Sequence, residues 1–308
     1  MNTSITNGQR KQIVQFGTNA IEKILDELGL EKAGAQRVIE HGDEFARVIR
    51  EVSMTSLKDL SVTDKYKEEE VSSNYTYPKE YKGPKPINDQ IKVIAEIFSL
   101  DPKQALEFVK NLPELKSFVP KDALEWTGWF AIPSDTGLQK LFPQITDPAE
   151  RYCDGVQLVH TKIADSRSFY NYREGQITSA HLRAHTRTAH TLDLIAENQP
   201  GDILIMAGQL GMRHRGRSVR RAREVFMSNE FGLGSLAVGS IVLTHPERIV
   251  RWEELDMDCS GDEFSLDADG SFLHAPIFSF YDGKVGFGAH RVDIAGGSYG
   301  SASGVVPQ

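Results

Sequence analysis

Residue usage changes near position 150, and that change restricts the chain to two dissimilar parts. Before it, apolar residues recur at helical spacing. After it glycine accumulates, with 16 of the 26 glycines falling between Gly201 and Gly304. Glycine at that density marks turns and strands and is costly inside long helices. A chain of 308 residues, 40% of them hydrophobic, can bury a core without disulfides or metals. The expected class is therefore α+β: a helical N-terminal domain followed by an Arg/Gly-rich mixed α/β domain with a C-terminal β-hairpin.

Ile13, Ala20, Ile21, Ile24 and Leu28 share one helical stripe, and Gly29 sits where a C-cap glycine belongs. A second stripe runs through Val38, Phe45, Val48, Ile49 and Val52, so residues 1–60 read as a helical segment. Residues 61–86 hold lysines, acids, prolines and the tyrosines Tyr66, Tyr75, Tyr77 and Tyr81, with almost no aliphatics. That composition cannot repay the entropy of its own ordering and predicts an exposed linker. Residues 87–150 return to helical spacing at Ile91, Ile94, Ala95 and Phe98 and complete the N-terminal domain. Trp126, Trp129 and Phe130 read as the closure of a helical core rather than a stacking platform for bases.

Residues 151–295 form the α+β part. Asp202 to Met206 and Leu236 to Thr244 are expected strands, and Asp282-Gly283 between two apolar runs predicts a hairpin. Residues 296–308, rich in glycine and serine, read as a flexible tail.

The net charge of −8 conceals three blocks. Residues 1–150 carry 19 basic and 24 acidic groups, residues 151–223 carry 12 and 6, and residues 224–308 carry 4 and 13. Arginine replaces lysine in the second half, which favours bidentate, fixed-geometry partners. Six arginines crowd into eleven residues: Arg213, Arg215, Arg217, Arg220, Arg221 and Arg223. They lie between a predicted strand and a helix that Ser218 can cap, an arrangement that aims backbone N–H groups and guanidiniums at an anion. The competing expectation is that the acidic residues after Glu224 neutralise them within the chain or across a subunit interface.

His181 and His185 share a face if their segment is helical, which is the spacing of paired metal ligands, although Arg183 and Arg187 between and beside them repel a cation. Asp256, Asp258 and Ser260, followed by Gly261, resemble the start of a calcium loop in spacing only. Neither a serine-nucleophile elbow nor a glycine-lysine phosphate loop is present, and Cys153 and Cys259 form no motif, so no catalytic residue is assigned. These features point to a non-catalytic nucleic-acid-binding or nucleoprotein accessory protein, DNA or RNA undecided. Its phosphate contacts would be the six arginines and Ser218, extended by Arg183 and Arg187. The alternative is a structural protein that self-associates through complementary Arg-rich and acidic surfaces; a hydrolase or nuclease with metal on His181 and His185 is the third reading. No cofactor and no membrane partner is expected, a homo-oligomer is compatible with the charge blocks, and a cytoplasmic setting is the default.

Overall fold

Helical periodicity in the first sixty residues produces α1 (Asn7–Leu28), α2 (Lys32–Glu40) and α3 (Gly42–Ser61), with Gly29 in the left-handed region beyond α1. The structure, a computed structural model, describes residues 7–61 and 64–307 and divides the chain into units 1–63 and 64–308. None of the described side chains of residues 7–61 is buried, and Ile13, Phe16, Ile24 and Leu28 are each more than two fifths exposed. α1 has no acidic residue in its first turn and no basic residue in its last. Arg10 and Lys11 instead stand near its start. This order opposes the helix dipole, at about 0.3–1 kcal/mol for each terminal charge.

Residues 64–86 run as an arm along the second unit. Then follow α4 (Ile87–Phe98), α5 (Lys103–Phe108), α6 (Lys121–Leu124), β1 (Gly128–Pro133), α7 (Asp135–Leu141) and α8 (Pro148–Ser166). The chain continues through β2 (Phe169–Asn171), β3 (Leu182–Ala184), α9 (Thr186–Asn198), β4 (Ile203–Arg215), α10 (Val219–Val225), β5 (Glu230–Gly232) and α11 (Ser235–Thr244). It closes with β6 (Asp256–Asp258), β7 (Asp262–Phe264), β8 (His274–Tyr281), β9 (Lys284–Arg291) and β10 (Tyr299–Val305). All ten strands join one mixed sheet in the order β1-β4-β10-β6-β8-β7-β3; β9 pairs with β8 and with β2, and β5 pairs with β10. Phe130, Met257, Phe278 and Phe287 from the sheet share one core with Val156, Val159 and Ile163 of α8 and Ile241 of α11. No described helix is long and apolar enough to cross a membrane.

The α+β class and the hairpin β8–β9 across Asp282-Gly283 agree with the sequence. Four local expectations are corrected. Residues 236–244 belong to helix α11, not to a strand; α11 is buried nearly all round, so its residues show no period, and Gly239 lets it cross close to Val159 of α8. The glycine–serine tail is strand β10, in the middle of the sheet. Its residues are small because space is short, a Cβ on Gly304 falling 2.5 Å from the Phe231 ring. Residues 64–86 are no solvated linker: Tyr81 is buried, the Tyr77 hydroxyl accepts from Leu210 N (2.9 Å), and Leu255 N donates to Thr76 O (3.1 Å). The ordering entropy of that segment is repaid by groups on other elements, which local composition does not register. Finally, residues 87–150 complete the sheet unit instead of a separate helical domain, since α4 packs on β1 and β1 pairs with β4. Trp126 and Trp129 lie half-buried there, edge-on to Tyr77 and tilted against Phe118.

Candidate functional site: an arginine block under an acidic arm

Strand β4 extends nine residues past Met206, so Arg213 and Arg215 lie on the strand and only Gly216-Arg217 forms the turn. Ser218 caps α10, its Oγ accepting from Arg221 N at 3.1 Å. The seven residues of α10 then carry Arg220, Arg221 and Arg223. Strand end, turn and capped helix thus gather the six guanidiniums, but the surface they make is not open.

Each guanidinium is taken up by the chain itself. Arg213 pairs with Asp122 (2.9 Å) and stands 3.4 Å from Glu230. Arg215 donates to Tyr75 O (3.0 Å), and Arg217 pairs with Glu70 (3.3 Å). Arg220 grips both oxygens of Glu69 and lies over the Tyr66 ring at 4.4 Å. Arg221, 8% exposed, meets Glu70 (2.6 Å), Glu224 (2.8 Å) and Asp64 (2.9 Å). Arg223 donates to the carbonyls of Ser260 (2.9 Å) and Asp262 (2.7 Å). The neutralising acids therefore come chiefly from the arm; of those after Glu224, Glu230 faces Arg213, and Glu263, Asp262 and Asp258 act on Arg223 through their charge. Burial pushes the carboxyls of Glu69 and Glu70 up, but the arginine bonds more than offset it and hold both below the usual range.

The arm is also laced to the turn by its backbone. Val71 N donates to Gly216 O (2.7 Å) and Ser218 N to Glu69 O (3.0 Å), closing an isolated bridge between Glu70 and Arg217. Gly216 is required there. Its φ of 77° lies in the left-handed region, and a Cβ would fall 2.2 Å from Val71 O.

Beneath the block lies a polar network that the sequence did not reveal. The fully buried Glu230 carboxylate accepts from Ser303 Oγ (2.7 Å) and Met227 N (3.3 Å) and is 2.7 Å from His214 Nε2. His214 Nδ1 faces Arg217 Nη1 at 3.1 Å, so a neutral ring that donates from Nε2 and accepts at Nδ1 satisfies both contacts. Burial, the largest cause, holds His214 below the ordinary imidazole range in accord with that tautomer. Gln209 Nε2 continues the network to Ser303 Oγ and Ser301 O, both at 2.9 Å. Glutamate at a strand end has no sequence signal of its own; only the register of β5 against β10 brings Glu230 to Ser303.

The segment 181–190 is not one helix, which corrects the basis for a metal pair. His181 precedes β3 and its Nδ1 lies 2.7 Å from Ser265 O, whereas His185 caps α9 and accepts from Arg187 N (3.3 Å). Burial, with Arg223 nearby, pushes His185 down to about 4. Arg183 pairs with Glu263 (2.8 Å) and stacks over Phe272 at 3.7 Å, and Arg187 donates to Met227 O. Both arginines are thus bonded within the chain, and Arg183 stays half-exposed. Among the described residues no three His, Cys, Asp or Glu side chains are placed to hold a metal ion. A largely apolar cavity of about 490 Å³ opens beside α9 and α11, and on its wall Asp135, Tyr152, Arg183 and Thr188 are engaged by other protein groups.

The residues that resembled a calcium loop form β6 and β7 instead. Asp258 is fully buried and 2.8 Å from His290 Nε2, and burial together with the Asp258 charge pushes Asp256 up to about 7. A folded-state pKa above the unfolded value of about 3.9 means that this group's contribution is present at low pH and is lost as pH rises through 7. The difference in urea stability between Asp256→Asn and the parent chain is therefore expected to shift in favour of the variant from about pH 4 to pH 7. A difference that stays constant across that window would refute the raised pKa.

Searches against protein-family models, curated proteins and solved structures gave no match, so the chain's own geometry carries the functional argument.

Proposed function

We propose that this chain is a non-catalytic assembly protein, in which residues 64–308 form the body and the N-terminal helices associate with other copies of the chain. The observation that carries this reading is the helical unit, where apolar stripes on helices of 22 and 20 residues leave none of the described side chains buried. Isolated helices gain most of their stability from packing an apolar face, so such stripes call for a partner. The arginine block fits this reading as a clamp. It fixes the arm that leads from the helical unit onto the body, through Glu69 and Glu70. A phosphate track would need open guanidiniums, and the six of the block are already engaged.

The test is sedimentation velocity on the full chain over a concentration series, at about 0.1 and about 0.5 M salt, where charge screening becomes short-ranged. The expected result is concentration-dependent association that survives the higher salt, because an apolar seam drives it. A monomer at every concentration would overturn the proposal. So would steeply salt-dependent binding of labelled DNA or RNA, which would return the block to a phosphate-binding role.

A further inference from the structure

We infer that another cavity, between α8 and the turn that follows β2, binds a neutral sugar ring, a function independent of how the N-terminal helices assemble. The cavity measures about 490 Å³, within the range of about 300–1,000 Å³ usual for small-molecule sites. Gln157 and His160 of α8 line one side, and Tyr170, Asn171 and Glu174 line the other. His160 is 6% exposed, and neither of its ring nitrogens has a hydrogen-bond partner. Its ring packs against Phe169 at 5.2 Å and Phe287 at 4.3 Å. Burial pushes the imidazole down to about 3, so it is neutral and offers one donor and one acceptor. A residue that only filled space among these rings would need neither, and each has given up its water with no replacement.

The other polar groups of the cavity narrow the ligand. Gln157 Nε2 donates to Ile177 O (2.8 Å) and Asn171 Oδ1 accepts from Arg173 N (2.8 Å), which fixes both amides. Among the described residues Gln157 Oε1 and Asn171 Nδ2 have no partner, so an acceptor and a donor stand preset on the two walls. Hydroxyl groups suit this set, because each both donates and accepts and can meet either nitrogen of a neutral imidazole. Polar groups on both walls fit hydroxyls that project all round a saturated ring, whereas a nucleobase bears its donors and acceptors in one plane. Tyr170, 52% exposed, supplies a face for the C–H groups of the sugar. Charge disfavours a phosphate or a carboxylate, since Glu174 alone among the described lining residues is charged, and it is an acid.

The test follows the imidazole ring signals of the full chain by NMR during titration with the methyl glycosides of glucose, galactose and mannose, with adenosine and inorganic phosphate run beside them. The His160 signals are identified by their loss in His160→Phe or, should that variant not fold, in His160→Gln. At least one glycoside is expected to shift them and to saturate in about the millimolar range, while adenosine and phosphate leave them unmoved. His160→Phe should weaken that binding about tenfold or more. Tyr170→Ala, which trims a half-exposed side chain on an edge strand and leaves the core intact, should weaken it about fivefold or more. The proposal is overturned if none of the three glycosides moves the His160 signals, if adenosine or phosphate moves them in their place, or if the variants bind as the parent does.

Discussion

Glu230→Ala is expected to destabilise the body by about 3–5 kcal/mol, the usual cost of removing one partner from a buried charged network. The carboxylate serves Ser303, His214 and Met227 N, and Arg213 lies 3.4 Å away. Each donor left without its acceptor in a dry interior loses its solvation with no replacement, at about 1–3 kcal/mol apiece. Set against a typical stability of about 5–15 kcal/mol, that is a large fraction of the whole. Urea unfolding followed by tryptophan fluorescence reads the loss. Glu230→Gln keeps one oxygen acceptor and should cost less. A change below about 1 kcal/mol for the alanine variant would show that the network can re-pair without its carboxylate.

Gly216→Ala is the second large effect, and it acts on the arm. A side chain in the left-handed region costs about 1–2 kcal/mol on its own. The added Cβ would also lie 2.2 Å from Val71 O, so the bridge between Glu70 and Arg217 has to open. The expected outcome is a bridge whose Val71 and Ser218 amides exchange rapidly with solvent while β4 stays protected. Once Glu69 and Glu70 withdraw, Arg217 and Arg220 lose their counter-charges while Arg221 keeps Glu224, and the variant should gain a salt-sensitive affinity for polyanions absent from the parent. Hydrogen exchange and nucleic-acid anisotropy on the two proteins decide it. Unchanged protection of Val71 would mean that the turn yields instead of the arm.

What the sequence disclosed follows from where the physics is local. Ser218 as a helix cap and Asp282-Gly283 as a hairpin turn each depend on a few adjacent residues, and both appear where the sequence places them. The density of arginine was also plain. Its neutralisation was not, because Glu69 lies 151 positions from Arg220 and sits in a segment whose composition resembles disorder. The tail failed for a related reason: glycine and serine are what a flexible end and a tightly packed central strand both require. Residues 236–244 failed because a helix enclosed on all sides has no amphipathic period to read. Histidines 181 and 185 had the spacing of a helical pair, but a strand runs between them.

The position of β10 sets an order of events during synthesis. Residues 299–305 fill the slot between β4 and β6, so the sheet stays split until they emerge from the ribosome. At about 5–20 residues per second, they follow α1 by roughly a quarter of a minute to a minute. Over that interval a nascent chain would display finished N-terminal helices while its body is still incomplete.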